Sequence, residues 1–171
     1  MRVVVRYDEF RQRKGDVMKR IMTLSGCAIL LACAISCSTN NRKESTMKRT
    51  EIFPTGSQGP SDYFKNAAWV NMLHTDTNGV FDTQVYNVVF EPSARTYWHS
   101  HPGGQILLIT DGVGYYQEKG KQAQKLKPGD VVPIPPDVVH WHGAAPESEF
   151  THIGMSTKVH FGPAKWFGEV T

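Results

Sequence analysis

Trp98-His99-Ser100-His101-Pro102-Gly103-Gly104-Gln105 is the stretch that decides how this chain reads. In a β-strand residues i and i+2 point to the same face, so His99 and His101 can reach one ion from a single strand. Pro102-Gly103-Gly104 is a turn-forming run that lets the chain reverse before Gln105 offers a neutral oxygen. His140 follows thirty-five residues later, just after Pro135-Pro136-Asp137, a second turn signal. Imidazole is the commonest protein ligand for metals. His99, His101, Gln105 and His140 together predict a divalent metal site of mixed nitrogen and oxygen type.

Outward from that block, short β-rich runs alternate with turns. They are Val85–Phe90, Thr96–His101, Gln105–Thr110, Gly114–Gln117, Val131–Ile134, Val138–Gly143 and Phe150–Ser156, with turns at Asp111-Gly112 and Pro128-Gly129-Asp130. From Trp69 onward no long helical period emerges, except for one expected helical turn at Pro163–Phe167. Many short strands at close spacing predict an all-β sandwich or barrel. Strand parity puts Tyr86, Val88 and Phe90 on one face, and His152 and Ser156 on one face of the last long strand. His142 shares parity with His140, as a barrel-wall residue or a support for the metal site. Trp98 and Trp141 alternate to the opposite face as packing residues or oligomer contacts, and His74 and His160 read as surface or structural residues.

The chain has 171 residues, 40% hydrophobic and 20% charged, which suits one globular domain with a real core. Its net charge of +3 conceals an asymmetry. Residues 1–50 carry eleven lysines and arginines against four carboxylates, whereas residues 51–171 carry eight against twelve. The folded part is mildly acidic, which argues against nucleic-acid binding.

All three cysteines, Cys27, Cys33 and Cys37, fall in the apolar run Ile21–Ser36 or directly after it, behind Lys19-Arg20. A basic segment followed by a short apolar one reads as an export signal, too short for a comfortable membrane span. Residues 18–37 are therefore expected to be a lipoprotein-type signal segment with Cys37 as the lipidated residue. Cys33 is the second choice, and residues 1–17 read as a spurious upstream extension. Residues 38–50 form a polar linker and 51–171 the folded domain, lipid-anchored to the bacterial cell envelope. Translation from Met47 would instead leave the domain cytoplasmic.

The block Trp98 to Gln105, with Gly112 beyond it, resembles the first cupin motif, and Pro128-Gly129-Asp130-Val131 through His140 resembles the second. Four positions depart from the general pattern: Ser93 and Asp137 stand for glycines, Gln105 for a glutamate and Ala144 for an asparagine. The glutamine, together with Glu91-Pro92-Ser93-Ala94-Arg95-Thr96, His140-Trp141-His142-Gly143-Ala144 and Thr151-His152, resembles a narrower group. These are the small bacterial cupins that include manganese-dependent hydroxynitrile lyases, whose relatives are described as carboxymuconolactone-decarboxylase-linked cupins.

The resemblance covers about residues 50–171. It implies a single-domain jelly-roll β-barrel that commonly pairs as a homodimer. It implies metal ligation by His99, His101, Gln105 and His140, with His152 as base or acid beside the open coordination position. Tyr86, Val88, Thr96, His142 and Ser156 would shape a pocket for a small molecule. In the lyases a glutamine matches Ser156 and a small residue matches Tyr86, so the same substrate range is not implied.

Three neutral imidazoles and an amide leave a divalent ion its full charge, which favours anions and acidifies a bound hydroxyl. Mn²⁺ is the expected ion, with Fe²⁺, Ni²⁺ and Zn²⁺ as alternatives. The leading functional expectation is a hydroxynitrile-lyase-like enzyme acting on a small hydroxy or carbonyl compound. An oxygen-using, dioxygenase-like cupin and a non-catalytic small-ligand binder are the alternatives.

Overall fold

A computed structural model describes residues 52–171. The expected signal segment, the linker and Cys37 lie outside them. Among the described residues, thirteen strands occur in chain order: β1 (Ser57–Gln58), β2 (Phe64–Lys65), β3 (Ala68–Thr75), β4 (Thr83–Phe90), β5 (Arg95–Thr96), β6 (Trp98–Ser100), β7 (Gln105–Gly112), β8 (Gly114–Glu118), β9 (Gln124–Leu126), β10 (Val131–Ile134), β11 (His140–Ala144), β12 (Phe150–Thr157) and β13 (Lys165–Gly168). A 3₁₀ turn, Val159–Phe161, precedes β13. Among the described residues no helix is long and apolar enough to cross a membrane.

The strands form two antiparallel sheets of a jelly roll. One runs β1-β3-β4-β12-β7-β10; the other runs β13-β6-β11-β5-β2, with β8 on β11 and β9 on β8. Alternation in the sequence appears directly as burial. Phe150, His152, Gly154 and Ser156 point inward from β12, while Gln105, Leu107 and Ile109 do so from β7.

Register turns these inward faces into rows across β4, β12 and β7. Phe90 lies opposite Phe150; Val88, His152 and Ile109 form the next row; then come Tyr86, Gly154 and Leu107; then Gln84, Ser156 and Gln105. The barrel therefore grades from an apolar end to a polar one along the same strands. Phe90, Phe150 and Leu107 are fully buried, each worth roughly 1.5–3 kcal/mol of hydrophobic stabilisation. That packing fixes the frame on which the polar rows sit.

Three details differ from the sequence expectation. The stretch expected to make a helical turn at Pro163–Phe167 contains β13 instead, which pairs with β6 and sets Trp166 opposite His99. The pairing, and the ring stack it allows, outweigh any local helical tendency. Strand β3 lies outside the runs expected from the sequence, and its Val70 and Met72 border the site cavity. Ser93 and Asp137, the two residues standing where the family pattern has glycine, adopt left-handed φ of 66° and 58°. The turns keep the glycine conformation after losing the glycine; Asp137, at its turn, pairs with Lys165 at 3.2 Å.

Candidate metal centre and its cavity

Strands β6 and β11 are antiparallel neighbours with His99 directly opposite His140. Their rings lie 4.2 Å apart between centroids. Each ring is held by a carbonyl two residues upstream: Nδ1 of His99 donates to Tyr97 O at 2.9 Å, and Nδ1 of His140 to Val138 O at 2.8 Å. A carbonyl only accepts, so both Nδ1 atoms carry the proton and both Nε2 atoms hold lone pairs.

His101 leaves β6 just before the turn at Pro102-Gly103-Gly104. Gly104, at φ 90°, takes a conformation that glycine adopts freely. The reversal starts β7 on Gln105, which is buried and whose Oε1 lies 3.1 Å from Nε2 of His140. The Gln105 amide nitrogen donates to the Tyr86 hydroxyl at 2.5 Å. Tyr86 in turn bonds Ser156 at 3.1 Å, and Ser156 bonds Nδ1 of His101 at 3.2 Å. Nε2 of His101 is buried without a hydrogen bond to protein.

A cavity of about 470 Å³ opens over this group. Its walls include His99, His101, Gln105, Tyr86, Val88, Thr96, His142 and Ser156, with Phe64, Val70, Met72 and Trp166 supplying apolar surface. His140 is fully buried and does not line this cavity. Trp166, which sequence reading did not assign to the site, stacks on His99 at 4.7 Å and on Tyr63 at 4.3 Å. Its signal in the sequence is weak, because Phe161 and Phe167 share the same tail.

His152 does not border the cavity. Its ring is fully buried against Phe90 and Phe150, with the His142 ring edge-on at 4.8 Å. Parity gives the face of β12 but not the depth along the barrel. His142 does border the cavity, and neither of its ring nitrogens hydrogen bonds protein. Its ligand atoms, those of His99 and those of His140 all lie within 4.8 Å of one another.

Trp98 and Trp141 are half-buried on the other face, and Nε1 of Trp141 donates to Gln117 at 2.8 Å. His74 packs edge-on against Phe81, and exposed His160 pairs with Asp82.

Burial governs the charge state of the cluster. Desolvation holds His99 and His142 well below the ordinary histidine range. It also brings His101 and His140 to about 4, with neighbouring His140 adding to the shift of His101. His152 falls to about 3 through its burial. Five neutral imidazoles in one place suit a cation, to which their lone pairs are open. Tyr86 is pushed up by its burial and stays a phenol.

The comparisons with known proteins agree with this architecture. The Cupin domain family model matches residues 86–153. Over 125 residues the chain is 38% identical to an (R)-mandelonitrile lyase of Granulicella tundricola, covering 71% of this chain and 95% of that protein. A cupin-like protein of Thermotoga maritima is 67% identical with a TM-score of 0.70, over 71% of this chain and 92% of that one. A Klebsiella pneumoniae protein with a double-stranded β-helix domain shares the fold at 17% identity, with a TM-score of 0.55 over 71% of this chain and all 100% of that one. On sequence and architecture together, the chain belongs to the cupin family.

Proposed function

We propose that this cupin is a metal-dependent lyase for a small hydroxy or carbonyl compound, with the cation held by His99, His101, Gln105 and His140. One contact carries the reading. Nε2 of His140 and Oε1 of Gln105 lie 3.1 Å apart, and both are acceptors, because His140 spends its proton on Val138 and Gln105 turns its amide nitrogen to Tyr86. Two lone pairs at that distance repel, and a cation between them makes the same arrangement attractive. Nε2 of His99 and Nε2 of His101 add two further lone pairs.

A divalent ion bound there would acidify a substrate hydroxyl and attract a departing anion. Mn²⁺ is the first choice, with Fe²⁺, Ni²⁺ or Zn²⁺ accepted by the same donor set. In cyanohydrin cleavage the hydroxyl proton passes to a neutral imidazole and the carbon–carbon bond breaks as the carbonyl forms. Cyanide leaves with the electron pair and recovers the proton from the imidazolium. We assign the first contact with that proton to His142, which borders the cavity, and a supporting role to His152 behind it. The (R)-mandelonitrile lyase matched over 95% of its length supports this choice of reaction.

The test is synthesis of mandelonitrile from benzaldehyde and cyanide by the manganese-loaded full chain. Turnover lost in His99→Ala is expected; turnover no higher than in that variant overturns the lyase reading. Elemental analysis of protein purified without added metal identifies the ion. Export and anchoring through Cys37 belong to the same proposal, supported by the apolar run Ile21–Ser36. Fatty-acid labelling that disappears in Cys37→Ser checks it.

A further inference from the structure

Gln105 is the one ligand in the proposed set whose two ends differ. An amide presents either an oxygen, which binds a cation, or an NH₂, which repels it. Something must choose between them, and nothing in the amide itself does.

The geometry points to Tyr86 and Ser156 as positioning residues that orient the Gln105 amide and set the His101 tautomer through one hydrogen-bonded relay; this rests on the metal-site reading above. The Tyr86 oxygen accepts the Gln105 N–H at 2.5 Å, so its own proton goes to Ser156 at 3.1 Å. Ser156 Oγ has a second lone pair, which receives the Nδ1 proton of His101 at 3.2 Å. Read in that direction, the relay turns Oε1 of Gln105 and Nε2 of His101 toward the site together. Reversing either end of the relay, at Gln105 or at His101, would put a proton on an atom meant to hold the ion.

The position of Tyr86 is built into the sheet. It sits directly opposite Gly154 on β12, and a Cβ at that glycine would come within 2.2 Å of Tyr86 Cε2. Only a glycine there lets the phenol lie flat across β12 and reach Gln105. The backbone of Gly154 is otherwise ordinary, so the requirement is one of space.

The probe is Mn²⁺ binding to the full chain, measured by competition with a fluorescent chelator. Tyr86→Phe keeps the ring and removes the hydroxyl, and is expected to weaken binding about 10- to 100-fold, the usual range for groups that orient a ligand. Gln105→Glu offers two equivalent oxygens and needs no orientation. In that background Tyr86→Phe should change affinity within about twofold.

Ser156→Ala is the second variant. It should show a smaller loss in the otherwise wild-type chain, and in the Gln105→Glu background it should keep only the share that comes from the His101 tautomer. Equal losses in both backgrounds would show that Tyr86 merely supports the fold and would overturn the relay, as would unchanged affinity in the chain that keeps Gln105. Wild-type protein that binds no Mn²⁺, or His99→Ala that binds it equally well, would remove the metal site and the relay with it.

Discussion

His99 and His140 differ from His142 and His152 in what holds their rings. The first two each give Nδ1–H to a carbonyl two residues upstream. The second two make no such bond, and all four of their ring nitrogens are buried without a protein hydrogen bond. Both pairs come from the same barrel interior, and burial keeps all four rings neutral. A locked tautomer presents one lone pair in a fixed direction, which suits a ligand. An unlocked imidazole can accept a proton on either nitrogen and return it, which suits a base. In the proposed reaction, the difference between the pairs would separate binding from proton transfer within one cluster.

The largest effect should come from breaking the locked pair. His140→Ala removes a lone pair and leaves Gln105 without its neighbour. Metal-dependent stabilisation should vanish: at a free ion concentration near 100 times the dissociation constant, wild type gains about 2.7 kcal/mol and the variant gains nothing. Chemical denaturation with and without Mn²⁺ reads this directly, and a variant that still gains stability would remove His140 from the ligand set.

The unlocked pair should respond in the opposite way. His142→Phe should keep Mn²⁺ affinity near wild type while lowering turnover about 10²- to 10⁴-fold, the usual range for a lost acid–base group. His152→Leu should cost less activity, since that ring does not reach the cavity. A larger activity loss at His152 than at His142 would reverse the order of the two along the proton path.

Acid should act on both pairs. With His152 at about 3 and His101 and His140 at about 4 in the fold, against an ordinary value of 6.5, the unfolded chain binds protons that the folded one refuses. Stability therefore rises with pH from about 3 to 6.5 and levels off above that window. It falls as pH drops through 6.5. His152→Leu removes one contributor and should flatten the slope of denaturation midpoint against pH between 4 and 7. An unchanged slope would show that His152 is not held neutral by burial.

Much of this contrast was legible in the sequence, and the part that was not has a physical reason. Period-two alternation in Phe150–Ser156 and His140–Gly143 assigns His140, His142, His152 and Ser156 to the inside, because parity is a local property of a strand. The turn at Pro102-Gly103-Gly104 likewise brings Gln105 back to His140. Depth is different: whether His142 or His152 meets the cavity depends on register between strands, which no local pattern carries. Trp166 was lost for the same reason, since its place follows from β13 pairing with β6. So was the Tyr86 relay, which needs a glycine on another strand.

The smallest predicted effect tests the boundary between the pairs. The backbone N–H of His142 donates to Thr96 Oγ1 at 3.1 Å, and both residues are buried. This bond is the side-chain tether on a residue whose own ring has none. Thr96→Val keeps the shape and leaves that N–H without an acceptor, which should cost about 1–3 kcal/mol. Thermal unfolding of the metal-free chain measures the cost. Mn²⁺ affinity should stay unchanged, because neither locked ring touches Thr96 through a hydrogen bond.

The opposite result has a definite meaning. The ligand atoms of His142 lie within 4.8 Å of those of His99 and His140, so a cation shared by these three is geometrically the nearest rival to the set containing Gln105. If loosening His142 through Thr96→Val weakens Mn²⁺ binding tenfold or more, His142 belongs with the ligands. Hydrogen-bonded tautomers would then no longer separate the two pairs.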